Sequence, residues 1–195
     1  MVMGPKFSEA MVFAADLHAE QTRKGSETPY LGHLLAVASL VIEAGGTEEQ
    51  AIAALLHDAV EDQGGQETAA VIGERFGDHV LEMVNACSDS HEIPKPPWKE
   101  RKERYLKHLP EAIPTALLIS SADKLHNCRC ILRDYRELGE ALWSRFRGGR
   151  DGTLWYYGAL AKTYDRCPMP ANARLVATEF SAVVDQLLRL TAVED

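Results

Sequence analysis

Apolar residues recur along most of this chain at helical spacing, not in strict alternation. In "SEAMVFAADLHAE" Met11, Ala14, Ala15 and Leu17 share a helical face, with Ser8 as the expected cap. "GHLLAVASLVIEAGG" predicts a second helix, stopped by Gly45 and Gly46. Thr47 followed by Gln50 forms a capping-box pattern, so a third helix is expected from about 48 to 61, closed by the pair Gly64–Gly65. "TAAVIGERFG" and "DHVLEMVNAC" give two shorter helices. "SDSHEIPKPPW" carries three prolines in four positions and must be a loop. "KERKERYLKHL" resumes as a polar helix. "PTALLISSADKLHNCRCILRDYREL" is long, with Leu118, Ala122, Leu125, Leu132 and Tyr135 on its apolar stripe. "GGRDG" is expected to break the chain at 148–152, before two helices over about 153–164 and 170–190. No alternating strand pattern, internal repeat or low-complexity tract interrupts this order. The predicted fold is all-α, a bundle of roughly eight to ten helices in a single domain spanning 1–195.

Composition narrows the class. With 195 residues, 46% hydrophobic and 26% charged, the chain has the apolar mass for a real core. No apolar run reaches the roughly 18 residues of a membrane span, and "MVMGPKFSEA" lacks the blocks of a secretory signal. A cytoplasmic protein is expected. Cys87, Cys128, Cys130 and Cys167 show no CxxC spacing, so they read as buried thiols and not as a zinc knuckle. A net charge of −8 argues against general nucleic-acid binding. A small anionic ligand remains compatible with it, provided basic residues gather locally.

The chemistry concentrates in "LLHDAVEDQGG", residues 55–65, which crowds His57, Asp58, Glu61 and Asp62 onto the predicted end of the third helix. Acidic groups there face the negative end of the helix dipole, costing roughly a few tenths of a kcal/mol or more each. Positions 57 and 61, and 58 and 62, lie one turn apart. An imidazole beside a carboxylate is a donor set suited to manganese, iron or zinc. By itself the stretch also fits a surface histidine and a solvated acidic turn. In "ADKLHN", however, Asp123 stands inside an apolar helix face, with Asn127 one turn later on the same side. Such an aspartate is paired with a cation or coordinates one, and Lys124 and Arg129 are candidate partners. His33, after "TPYLG", opens a helix; alone it would be a cap or a packed histidine.

Taken together, a His, an adjacent His-Asp pair and a distant Asp, all on helices, resemble the HD superfamily of metal-dependent phosphohydrolases. "TRKGSETPYLGHLLAVA", "AALLHDAVED" and "SADKLHNCRCI" narrow the resemblance to the hydrolase domain of RelA/SpoT homologues, in the same order and at about the same separations. "WYYGALA", residues 155–161, is a fainter echo of that domain's "IYAPLA" segment. The resemblance covers about 8–165, with the helix 170–190 beyond it. Because the synthetase and regulatory regions of the long enzymes have no room here, the chain is similar to a stand-alone small alarmone hydrolase. The resemblance implies that His33, His57, Asp58 and Asp123 hold one divalent ion, usually manganese, and that Glu61 and Asp62 are the catalytic acidic pair. It further implies that Arg23 and Lys24 line the substrate phosphates, that Asn127 contacts the nucleoside, and that Ser26 is a pocket serine. Two features depart from it. Cys130 stands where the long enzymes commonly carry Thr, and "HEIPKPPWKERKERYLKHL" and "LWSRFRGGRDG" do not follow their pattern.

The substrate so implied is guanosine tetra- or pentaphosphate, (p)ppGpp, whose 3′-pyrophosphate is hydrolysed to leave GDP or GTP. A bound cation would make the acidic helix end tolerable. Two alternatives stay open: the same chemistry on an adenosine alarmone or another 2′/3′-phosphorylated nucleotide, and a nucleotide-sensing HD module without catalysis. The presence of both Glu61 and Asp62 argues against the second. The expected partner is a small-molecule nucleotide, with neither nucleic acid nor membrane, and the sequence sets no oligomeric state. The basic run Lys95, Lys99, Arg101, Lys102, Arg104 and Lys107 is interleaved with Glu100 and Glu103, so it reads as a solvated helix more than as a rim of the cleft. His18 reads as a packed or supporting histidine and not as a ligand.

Overall fold

Pro5 at the first helical position starts helix α1 (Pro5–Leu17) three residues before the expected cap Ser8. Proline sacrifices no bond there, and the Gly4 N–H donates to Glu48 Oε1 at 2.7 Å. In this computed structural model, which describes residues 2–88, 94 and 96–192, α2 (Leu31–Glu43) ends as expected, with Gly45 at φ +77°. α3 (Glu48–Leu56) opens on the predicted capping box, in which Thr47 Oγ1 accepts from the Gln50 N–H at 3.2 Å and Gln50 Oε1 accepts from the Thr47 N–H at 2.9 Å. Thr47→Ala removes one half of it and is expected to cost about 1 kcal/mol. The urea midpoint of the chelator-treated protein would fall with its m-value unchanged.

The helix expected to run to residue 61 stops at Leu56. His57 and Asp58 form a turn, Asp58 at φ −101° and ψ −3°, and a separate short helix α4 follows (Ala59–Asp62). That backbone lies in the sparsely populated bridge region, where active-site residues often sit. Glu61 and Asp62 therefore end a separate helix of one turn and do not belong to α3. α5 (Gly65–Phe76) and α6 (Asp78–Cys87) match the two short patterns. The proline-rich loop lies largely outside the described residues, at 89–93 and 95, and Lys95 with it.

α7 (Trp98–His108) carries the surface pairs of a solvated helix, Arg104–Glu100 at 2.7 Å and Lys99–Glu103 at 3.8 Å. Its other face is not solvated. Arg101 is buried, with Nε donating to Pro96 O at 3.2 Å, and half-buried Lys102 puts its ammonium 4.9 Å from the centre of the Tyr156 ring. A 3-10 turn (Leu109–Glu111) leads into α8 (Pro114–Leu138), and a second (Gly139–Arg145) follows it. The "GGRDG" break falls earlier than expected. α9 (Gly149–Arg166) already begins at Gly149, whose N–H bonds Phe146 O at 3.0 Å, and α10 (Ala171–Ala192) closes the described chain. The β pairing among the described residues is an isolated bridge, Thr22 to Pro29.

α8 runs through the middle, packed against α10, α2, α6 and α3. Its predicted stripe, Leu118, Ala122, Leu125, Leu132 and Tyr135, is buried throughout. Each buried leucine contributes on the order of 1.5–3 kcal/mol. Leu34, Val37 and Val41 of α2 and Ile52, Leu55 and Leu56 of α3 join the same core. These three helices thus bring His33, His57 and Asp123 to one place. All four cysteines are free; Cys128 and Cys167 are buried as expected, while Cys87 and Cys130 are half-buried. Among the described residues no helix is long and apolar enough to cross a membrane.

Candidate metal centre and active site

His33, His57 and Asp58 each offer a ligand atom, all within 4.8 Å of one another. Asp123 joins them from α8, with Oδ1 3.2 Å from His33 Nε2 and 3.7 Å from His57 Nε2. Asp58 Oδ2 lies 3.0 Å from His57 Nε2 and 3.7 Å from His33 Nε2. The four expected residues, drawn from three separated segments, are therefore brought together, with Asp123 within 3.7 Å of both histidines and beside the group of three.

The outer nitrogens of both rings are already engaged. His57 Nδ1–H donates to Ala54 O at 2.8 Å, and His33 Nδ1 lies 2.7 Å from His126 Nδ1. Burial, with the nearby charges of His33 and Arg23, pushes His126 down to about 4, so it is neutral at pH 7. Both inward nitrogens, His33 Nε2 and His57 Nε2, are buried and lack a hydrogen-bond partner among the described residues, although carboxylate oxygens lie near them. Histidines held through Nδ1 with a bare Nε2 aimed at carboxylates are arranged as metal ligands are. Two imidazoles and two carboxylates fit a divalent cation.

Without a cation the cluster balances itself. Burial opposes charge on all three groups, yet the Asp58 and Asp123 carboxylates hold His57 well above its usual value. Both carboxylates in turn lie well below theirs: His57 lowers Asp58, and Lys124 lowers Asp123. Lys124 Nζ donates to Asp123 Oδ2 at 2.5 Å, which makes it the partner expected of that aspartate. Arg129, the other candidate, points away to Glu179 of α10. Asn127 Nδ2 donates to Asp123 Oδ1 at 2.5 Å, and Tyr30 OH donates to Asp58 Oδ2 at 2.5 Å.

Glu61 and Asp62 sit on α4, directly after the turn that carries His57 and Asp58. Gln21 Nε2 donates to Asp62 Oδ2 at 2.9 Å. The sense of that amide is fixed because Gln21 Oε1 accepts from His18 Nδ1 at 2.6 Å and from Gln63 Nε2 at 2.8 Å. Buried His18, stacked on Tyr30 at 5.6 Å, thus reaches Asp62 through Gln21.

A cavity of about 430 Å3 opens beside the cluster, bordered by Arg23, Lys24, Ser26, His33 and Asn127. Arg23 and Lys24 ride on a loop closed by Arg23 N–H to Thr28 O and Tyr30 N–H to Gln21 O, both 2.8 Å. Arg23 Nη2 donates to Asn127 Oδ1 at 2.6 Å and lies over the Tyr30 ring, 5.5 Å from its centre. Gly25, at φ +72°, lets the Arg145 side chain cross the loop; a Cβ there would stand 2.6 Å from Arg145 Cδ. Ser26 is exposed, and its hydroxyl donates to Arg23 O at 3.3 Å. Cys130 also lines this cavity. Sequence reasoning missed the parts of Tyr30 and His126. Their signals were spacing alone, three residues before His33 and three after Asp123, and such spacing is common in any helix.

Comparison with known proteins assigns the family. A profile described as "HD domain" matches residues 10–154. A guanosine-3′,5′-bis(diphosphate) 3′-pyrophosphohydrolase, MESH1, from Xenopus tropicalis is 39% identical over 142 residues, covering 71% of this chain and 74% of that protein. Its Homo sapiens namesake is 37% identical with the same coverage. A solved structure described as a metazoan ortholog of SpoT that hydrolyzes ppGpp superposes with a TM-score of 0.73 at 30% identity, covering 92% of this chain and 96% of that one. A cluster of two histidines and two aspartates on an all-helical frame, matched along most of its length by such proteins, has one reading: the chain belongs to the HD-domain family, among the hydrolases of RelA/SpoT type.

Proposed function

We propose that this protein hydrolyses the 3′-pyrophosphate of guanosine tetra- or pentaphosphate, releasing pyrophosphate and leaving GDP or GTP. The observation that carries the reading is one adjacency: buried histidines with bare inward nitrogens beside a basic cavity of about 430 Å3. The printed activity of the MESH1 relatives supports it. His33, His57, Asp58 and Asp123 would hold the cation, with manganese the proposed ion. Bound there, a divalent ion supplies Lewis acidity toward a phosphoryl oxygen and toward water.

The chain's own residues supply the rest. Glu61 and Asp62 orient the attacking water and take its proton. Gln21 Nε2 donates to Asp62 Oδ2, which holds that carboxylate in one orientation. Arg23 and Lys24 face the substrate's phosphates from the closed loop, and Ser26 borders the same mouth. Asn127 meets the nucleoside and steadies Asp123 and Arg23 from either end of one amide.

A second reading, the same chemistry on an adenosine alarmone or another 2′/3′-phosphorylated nucleotide, is favoured by Cys130 in the cavity wall. Purified protein with manganese, given guanosine and adenosine 3′-pyrophosphates in parallel, decides between them by product chromatography. Release of GDP and pyrophosphate with the adenosine compound left intact is the expected result. Preferential turnover of the adenosine compound would replace the first reading with the second.

A further inference from the structure

We infer that His126 is a positioning residue of the metal centre, holding the His33 ring in the tautomer and orientation that leave Nε2 free for the cation. The inference rests on the metal site proposed above and deepens it. His33 Nδ1 lies 2.7 Å from His126 Nδ1, and the two ring centres are 4.9 Å apart at a tilt of 38°. Two ring nitrogens bonded to each other share one proton, so one ring donates and the other accepts. The distance leaves the sense open; the requirement for a cation sets it. His33 Nε2 can hold a cation only when bare, which puts the ring proton on Nδ1. His126 Nδ1 must then accept, and the proton of that neutral ring stands on its Nε2. Cys130 Sγ, 3.7 Å from this nitrogen, is the acceptor there.

The other three ligands have partners that fix their own sense. His57 Nδ1 faces Ala54 O at 2.8 Å, and a carbonyl oxygen only accepts. Tyr30 donates to Asp58, and Lys124 and Asn127 donate to Asp123, since an ionised carboxylate only accepts. His33 is held instead by a group that can take either part. Were His126 to donate, the His33 proton would stand on Nε2, 3.2 Å from Asp123 Oδ1, and would close the site to a cation. The choice between an open and a closed His33 therefore runs through His126.

α8 sets the ring in place. Asp123, His126 and Cys130 follow one another along it at spacings of three and four residues, so they share one face. One helix thus carries a ligand, the partner of a second ligand and that partner's own acceptor. His126 is not itself a fifth ligand, because its Nδ1 is taken up by His33 and its Nε2 faces Cys130. Half-buried, it also borders the larger cavity beside Cys130, so direct contact with the substrate is the rival role. The two roles differ in what they change: positioning acts on metal affinity, and substrate contact acts on KM.

The test titrates manganese into the metal-free full chain by calorimetry, beside steady-state kinetics on guanosine tetraphosphate at a fixed manganese concentration. It compares His126→Asn with His126→Gln. An asparagine amide sits two bonds from Cβ, where Nδ1 stands, and a glutamine amide three bonds away, where Nε2 stands. The Asn variant is expected to hold manganese within about threefold of wild type. The Gln variant should lose affinity by roughly 10- to 100-fold, the usual cost of removing a ligand's outer partner, with kcat falling and KM nearly unchanged. His126→Leu, which keeps bulk but offers no acceptor, should match Gln, and the metal-free melting midpoints should agree throughout. Equal affinity in wild type and Gln, an equal loss in Asn and Gln, or a raised KM with affinity intact would overturn the assignment. A wild type that takes up no manganese would defeat the metal centre itself, an outcome separate from wild-type uptake that the variants share.

Discussion

A Glu61→Gln, Asp62→Asn double variant is expected to lose kcat by roughly 10²- to 10⁴-fold, the usual worth of general acid–base groups, while keeping its metal. Both replacements preserve shape and remove basicity. Neither residue belongs to the group whose ligand atoms converge, since that group is His33, His57 and Asp58 with Asp123 beside it. The Asp62 change also sets an amide against the Gln21 N–H unless it rotates its oxygen to that side. Elemental analysis after desalting, run beside single-turnover kinetics, reads both halves. A variant with normal turnover, or one purified without its metal, would show that the acidic pair has been given the wrong part.

His57→Ala should abolish both metal binding and turnover. The loss of Lewis acidity is worth several kcal/mol, on the order of a 10³-fold rate effect or more. A pH signature separates this from simple damage to the fold. In the metal-free protein the Asp58 and Asp123 carboxylates raise His57 well above 6.5, so a proton competes with the incoming cation for that ring more strongly than on a free imidazole. That raised pKa stabilises the metal-free fold below 6.5, and the contribution is lost as pH rises through the folded value. The two depressed carboxylates act in the opposite sense. Their contribution is present above 3.8 and lost as pH falls through their folded values.

Metal uptake at neutral pH should therefore release protons. Its stabilising effect should grow as pH rises through the raised folded value of His57, where competition from the proton weakens. Calorimetry in buffers of different ionisation enthalpy measures the release, and melting curves with and without manganese measure the stabilisation. Proton-neutral uptake, or a His57→Ala protein that still gains stability from manganese, would contradict the assignment.

The helices were legible because each rests on local physics. The capping box at Thr47 and Gln50, the glycine stop after α2 and the apolar stripe of α8 all lie within a few turns of chain. The errors were local too. Pro5 and Gly4 start α1 ahead of Ser8, and Gly149 begins α9 inside a stretch that reads as a break. The consequential miss was the helix expected to pass through His57 and Asp58. Apolar periodicity continues across 56–60, so nothing in the pattern marks the turn there. The reason for the turn is tertiary, since Asp58 receives the Tyr30 hydroxyl and faces His33 from a helix 15 residues away at its nearest end.

The same division runs through the active site. Residue types and their order were enough to nominate four ligands, an acidic pair and a basic loop, because imidazole, carboxylate and guanidinium carry their chemistry wherever they stand. Which groups those side chains meet was settled only by packing. Lys124, and not Arg129, neutralises Asp123, because on α8 the first turns inward and the second faces α10. Gln21 reaches Asp62, and Lys102 reaches the space beside Lys24, across gaps in the chain that no helical repeat can relate. Contacts between distant segments depend on how whole helices cross, and that is fixed by the sum of many buried side chains, not by any short run of residues.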